Sequence, residues 1–200
     1  MNTPVAAHRH AAVILAGGAA TRMGGVPKPE LTLGGRSLVR RVLDAVPQAS
    51  PRVVVGEVVA RDFIVTAEDK PGSGPAYALA AGLAYVPDGV PLVVALAGDM
   101  PFLTPELTAA LCEAVKGDSD GAVLVDHNGR RQWLCGVWRR QVLAERLAGA
   151  APGSGVRQLL GGARIVDVSW LDDDLPPWFD CDTPAALAYA RQLEREFRRH

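Results

Sequence analysis

The segment Leu15-Ala-Gly-Gly-Ala-Ala-Thr-Arg-Met-Gly-Gly-Val-Pro-Lys28 follows a short apolar run and carries two cations, Arg22 and Lys28. Glycines such as Gly17 and Gly18 let backbone N–H groups come close to anionic oxygens, and the cations add charge, so the chemistry on offer is phosphate binding. A glycine-rich turn with solvated basic residues is the plainer alternative. The spacing of Gly17, Gly18 and Gly24 fits neither G-x-G-x-x-G nor a Walker loop. Asp99, in Ala97-Gly-Asp-Met-Pro-Phe102, ends the most apolar run of the chain. A carboxylate there suits Mg²⁺, which takes one or two carboxylates and completes its shell with substrate phosphates; the alternative is a cap on the following helix. In Glu68-Asp-Lys-Pro-Gly-Ser-Gly-Pro75, Asp69 either holds a ribose or base or closes a turn. Asp180 and Asp182 share one side of the segment Phe179-Asp-Cys-Asp-Thr-Pro184 if it is extended. One of them completes a metal site, or Asp182 caps the last helix. His127 lies in a polar turn with no Ser or Cys paired to it, which leaves covalent catalysis unsupported.

Strands must carry these groups. Apolar runs at 11–16, 52–56, 63–66, 91–97, 122–125, 133–138 and 164–168 predict strands, several short and glycine-bounded as in a buried parallel sheet. Helices are expected at 37–45, 75–85, from 104, at 139–147, at 156–160 and from 182 to about 197. Ser37, Thr104 and either Thr183 or Asp182 stand as N-caps, and Pro75, Pro105 and Pro184 sit where a missing N–H costs nothing. This alternation reads as βαβ units and a single three-layer α/β/α domain over 11–200, behind a disordered lead-in at 1–10 that holds His8 and His10.

Composition narrows the function. At 200 residues the chain can bury a core without staples. Its net charge of −1, from 21 basic and 22 acidic residues, argues against a bulk nucleic-acid partner. Cys112, Cys135 and Cys181 form no CxxC pair and read as buried thiols. With no leader-like segment and no run of 18 apolar residues, the expectation is a cytoplasmic protein with no membrane partner.

Taken together, Leu-Ala-Gly-Gly with Arg22-Met-Gly24 and Lys28, Asp69 before Gly74-Pro75, and Gly98-Asp-Met-Pro-Phe102 resemble the molybdenum cofactor guanylyltransferases, MobA-like nucleotidyltransferases, over about Ala11 to Ala190. The resemblance implies a Rossmann-like domain with a mostly parallel sheet that moves GMP from GTP to the terminal phosphate of Mo-molybdopterin, with Mg²⁺ and release of pyrophosphate. It assigns Leu15, Ala16, Gly17 and Gly18 to backbone contacts with the nucleotide, Lys28 to phosphate charge, Asp69 to the nucleotide, and Asp99 to nucleotide and Mg²⁺. Arg22 joins Lys28 on the leaving group, and Asp182 is a further metal candidate. Pro27 stands where the family usually has Asp, Ala76-Tyr77 where it has Leu-Ala, and Asp180-Cys-Asp182 where it often has Asn-x-Asn. Similar cytidylyltransferases more often read Leu-Ala-Ala-Gly and Asp-Gln-Pro, so Gly17-Gly18 and Met100 favour GTP over CTP. The strand 132–138 looks like the family's acceptor side, with Trp133 either near the pterin or in the core. The other readings are a different phosphorylated acceptor and a non-catalytic nucleotide-binding accessory protein. Transient contact with molybdoenzymes or their chaperones is a further expectation. The acceptor, a phosphate monoester whose second pKa is about 6, is already ionised and needs no general base. Asp99→Asn and Lys28→Ala are therefore each expected to depress pyrophosphate release, and near wild-type release from both variants would overturn these assignments.

Overall fold

A run such as Leu92–Ala97 can bury both faces only if its backbone groups are spent in ladders on either side. The computed structural model describes residues 9–17, 22–23, 26–59, 62–70, 72–170, 175–197 and 199, with backbone alone at 22, 23, 26, 27 and 29. Of the lead-in expected over 1–10, residues 1–8 lie outside the described residues, whereas His10 is not lead-in but the first residue of the first strand, paired with Leu92 in the sheet. The chain runs β1 (His10–Leu15), β2 (Arg22–Met23), β3 (Val26–Pro27), a 3₁₀ turn (Lys28–Glu30), β4 (Thr32–Leu33), β5 (Arg36–Ser37) and α1 (Leu38–Asp44). It continues through β6 (Arg52–Val55), β7 (Ile64–Thr66), α2 (Pro75–Leu83), β8 (Leu92–Ala97) and α3 (Pro105–Ala114). It ends with β9 (Gly121–Val125), β10 (Arg131–Arg139), α4 (Arg140–Leu147), α5 (Val156–Leu160), β11 (Ile165–Ser169) and α6 (Pro184–Phe197).

The main sheet has the order β11-β9-β10-β8-β1-β6-β7. It is parallel except for β10, which runs antiparallel to both β8 and β9. Alternation along β1 divides its side chains between two cores. Ala12 and Ile14 pack with Val42, Leu43, Leu107 and Leu111 of α1 and α3. Ala11, Val13 and Leu15 pack with Leu79, Leu83, Leu143 and Leu160 of α2, α4 and α5. Each fully buried aliphatic side chain contributes about 1.5–3 kcal/mol, so a strand filled on both faces anchors the domain. The expected three layers and mostly parallel sheet are present.

Local signals were mostly obeyed. Thr104 Oγ1 accepts from Leu107 N–H at 3.2 Å and Thr183 Oγ1 from Ala186 N–H at 3.0 Å, so hydroxyls cap α3 and α6. Neither Asp99 nor Asp182 is needed as a cap. Ser37 holds the extended N-cap conformation of α1, yet its hydroxyl makes no capping bond. All three cysteines are buried free thiols, and burial pushes Cys112 up to about 11 and Cys135 to about 12. No helix among the described residues is long and apolar enough to cross a membrane.

One polar clasp holds the far edge of the sheet. Asp120, just before β9, accepts from Arg164 N–H at 2.8 Å and from the Arg164 guanidinium at 2.8 Å, while its carbonyl accepts from Arg139 N–H at 2.9 Å. The Arg164 side-chain hydrogen bond, then its backbone one, hold the Asp120 carboxyl below the usual range. A depressed carboxyl adds stability above its unfolded value, about 3.9, and that stability is lost as pH falls through the folded value. Asp120→Asn is expected to be less stable than wild type at neutral pH, with the gap closing in acid. Urea midpoints at about pH 7 and about pH 3 check this, and an unchanged gap overturns it.

Candidate active site

The sheet changes direction of travel at β1, whose neighbours are β6 on one side and β8 on the other. Ligands of open α/β sheets collect beyond the strand C-termini at such a point. Here the strand ends are tied laterally: Ala16 N–H donates to Val55 O at 2.8 Å, and Gly98 N–H to Leu15 O at 2.8 Å. Two glycines let the three backbones approach this closely. A Cβ on Gly56, whose φ is +148°, would stand 2.6 Å from the Ala16 carbonyl carbon and oxygen. One on Gly98 would stand 2.9 Å from Leu15 O. Leu15 and Ala16, where β1 ends, are thus held by backbone from both sides.

A cleft of about 300 Å³ opens there, lined by Leu15, Gly17, Glu68, Gly74, Ala97, Asp99 and Leu134 among others. Leu134 comes from β10, where the register to β9 shifts between Gln132 and Gly136. Such irregularities re-aim a side chain. The turn before α2 closes the opposite wall. Glu68 Oε2 accepts from Ser73 N–H at 2.9 Å, and Ser73 O accepts from Gly153 N–H at 2.6 Å.

The 3₁₀ turn that begins at Lys28 carries its ammonium to Asp99. Lys28 Nζ lies 2.5 Å from Asp99 Oδ2 and also bonds Asp182 Oδ1. The Lys28 side chain is 12% exposed, that of Asp99 21% and that of Asp182 62%. Burial alone would lower the lysine pKa, but hydrogen bonds to Asp182 and Asp99, reinforced by their charges, raise it above its ordinary value. Asp182 reaches this position because Cys181, fully buried, donates its N–H to Asp99 O at 3.1 Å. Asp180 is pushed up by desolvation and then by the negative charges of Asp182 and Asp99. Formally, the two carboxylates that bond the ammonium leave −1 here, and Asp180 lies within the same negative field. Asp99 and Asp182 are hard oxygen donors of the kind that could hold a divalent cation. Among the described residues no group of three or more His, Cys, Asp or Glu is arranged to hold a metal ion by itself. Two protein carboxylates with phosphate oxygens are the complement a hard ion such as Mg²⁺ ordinarily uses.

Of the residues singled out from the sequence, Leu15, Gly17, Lys28, Asp99 and Asp182 come together at this edge, and buried Ala16 joins them through its backbone. Gly18 lies outside the described residues. Arg22 is placed as backbone in the β2–β3 hairpin, paired with Pro27. Asp69 is exposed, and its neighbour Glu68 lines the cleft instead. Trp133 stacks on the buried Trp138 at 6.4 Å, with the Arg131 guanidinium 5.9 Å from its ring, and packs against the α2/α4/α5 core. His127 sits 5.6 Å from the Trp178 ring. Sequence reasoning passed over Glu68 and Leu134. Glu68 stood beside the chosen Asp69, while the shift that aims Leu134 leaves no local signature.

The chain is similar to known proteins in sequence and in fold. Residues 12–168 match the family model described as MobA-like NTP transferase domain. A molybdenum cofactor guanylyltransferase of Bradyrhizobium sp. is 30% identical over 194 residues, covering 90% of this chain and 91% of the relative. Another, of Vibrio cholerae, is 32% identical over 186 residues and covers 88% of each. The crystal structure of molybdopterin-guanine dinucleotide biosynthesis protein A from Archaeoglobus fulgidus has the same fold, with a TM-score of 0.73, 21% identity and coverage of 92% of this chain and 98% of that one.

The contact between Gly56 and Ala16 gives a direct test of the loop. Gly56→Ala must push the Ala16 backbone away, and misplacing a positioning group by about an ångström costs up to about 10²-fold in rate. The variant is expected to lose nucleotide binding and turnover by roughly tenfold or more. Equilibrium dialysis with labelled nucleotide measures the first, and wild-type binding by a folded variant overturns the clamp.

Proposed function

We propose, from the premise that this chain belongs to the MobA-like NTP transferase family, that it transfers GMP from GTP to the terminal phosphate of Mo-molybdopterin and releases pyrophosphate. The observation that carries this reading is the Lys28 ammonium seated between Asp99 and Asp182, beside the loop that leaves β1. A nucleotidyltransferase needs this combination at the sheet edge: a cation for the departing phosphates and carboxylates for a metal.

The residues divide the work as follows. Leu15, Ala16 and Gly17, held in place by Gly56 and Gly98, offer backbone groups to the nucleotide, and Gly18 joins them in that role. Leu15, Ala97 and Leu134 line the cleft with apolar surface suited to a flat base or sugar. Glu68 faces the same space, and exposed Asp69 meets the nucleotide from the rim. The acceptor phosphate is ionised near neutral pH, its second pKa being about 6. One of its oxygens forms the new bond to the α-phosphorus as the bond to the β-phosphate oxygen breaks. Lys28 and Arg22 take up the negative charge that builds on the leaving pyrophosphate. Asp99, with Asp182 beside it, would hold Mg²⁺, which when bound neutralises phosphate charge and orients the chain of phosphates. No general base is required. The product would pass to molybdoenzymes or their chaperones through transient contacts.

Pyrophosphate release, measured with GTP and CTP in parallel and with and without Mo-molybdopterin, tests the reading. Release is expected with GTP and the acceptor together, and a preference for CTP overturns the base assignment. Binding of GTP without turnover on any phosphorylated acceptor would identify an accessory protein instead.

A further inference from the structure

The Lys28 ammonium has three N–H donors, and two of them are committed to Asp99 and Asp182. Those two carboxylates are also the best oxygen donors that the site offers a divalent cation. An ammonium and a divalent ion cannot both occupy the space between them, because like charges at such separation repel strongly in a partly desolvated site. The cleft around them is only partly open: Lys28 and Asp99 are mostly covered, whereas Asp182 faces solvent.

Asp182 is held at this place by the backbone. Buried Cys181 hydrogen-bonds Asp99 O, so residues 180–182 run alongside the end of β8. Thr183, not Asp182, caps α6. Among the described residues Lys28 is the one hydrogen-bond partner of the Asp182 carboxylate.

We infer that Lys28 and the divalent cation compete for the Asp99–Asp182 pair, and that the triphosphate resolves the competition by drawing the ammonium onto its own oxygens. Asp182 serves both states of this exchange: it holds Lys28 over Asp99 beforehand, and its carboxylate would become available to the cation once the ammonium leaves. Metal and nucleotide therefore enter together, and metal alone binds poorly. The inference rests on the reading of the site as a metal-assisted nucleotidyltransferase, but its central measurement needs no nucleotide and no turnover.

That measurement is Mn²⁺ binding to the nucleotide-free full chain, followed by the electron paramagnetic resonance of free Mn²⁺. When a binding-competent arrangement is populated only a tenth of the time or less, apparent affinity falls by about tenfold or more. Lys28→Met is accordingly expected to bind Mn²⁺ at least about tenfold more tightly than wild type, and Lys28→Arg to stay close to wild type. Adding Asp182→Asn to Lys28→Met is expected to remove most of the gain. Lys28→Ala serves the same purpose if the Met variant does not fold, with thermal unfolding as the check on both. Equal Mn²⁺ affinity in wild type and the folded charge-removed variants overturns the exchange. Full retention of the gain in the double variant overturns the role of Asp182. Failure of the functional reading would show separately, as an absence of GTP binding and pyrophosphate release in wild type.

Discussion

The backbone of β1 is hydrogen-bonded on both sides, to β6 and to β8, and the rest of the molecule is arranged around that constraint. A strand with both edges occupied and both faces buried cannot shift register without displacing two cores at once. The ladder continues past the last strand residue, through Ala16 to Val55 and Gly98 to Leu15, so Ala16 shares the strand's constraint. Gly56 and Gly98 are the condition for it. Side chains at either position would separate the three strand ends.

Upon this frame the site stores an electrostatic contest. Lys28, Asp99, Asp180 and Asp182 arrive from three distant parts of the chain, and their formal charges do not cancel. Asp180 responds by shifting toward its neutral form, and Lys28 by holding its proton more firmly. An excess of negative charge of this kind would by itself repel a bare triphosphate. The near-neutral charge of the whole chain conceals this local imbalance.

Much of the fold was legible because each element carries its own signals. The apolar run of β8, the Thr104-Pro105 start of α3 and the Thr183-Pro184 start of α6 were each realised within a residue or so. Ser37 likewise stands at the N-cap of α1 but without a capping bond, which forms only if the hydroxyl rotamer finds the N–H. The site was legible where chemistry sits on strand ends, at Leu15–Gly17 and Asp99. It was less so on the turn before α2, where neighbouring acids point different ways: Glu68 into the cleft, Asp69 to solvent. A turn without regular periodicity gives no rule for which of two adjacent side chains faces inward.

By itself, then, the chain determined the class of fold, the strands that bear the chemistry and the kinds of group they would present, because hydrophobic period and capping are local properties. The tertiary structure decided which of those groups meet. Lys28 and Asp182 are separated by 154 positions, and no propensity links them. They are joined because Cys181 is buried against the end of β8 and the 3₁₀ turn brings Lys28 to the same carboxylate. Whether Asp182 capped a helix or joined a cation site was open in the sequence. Thr183 took the cap, and packing placed the acid beside the lysine.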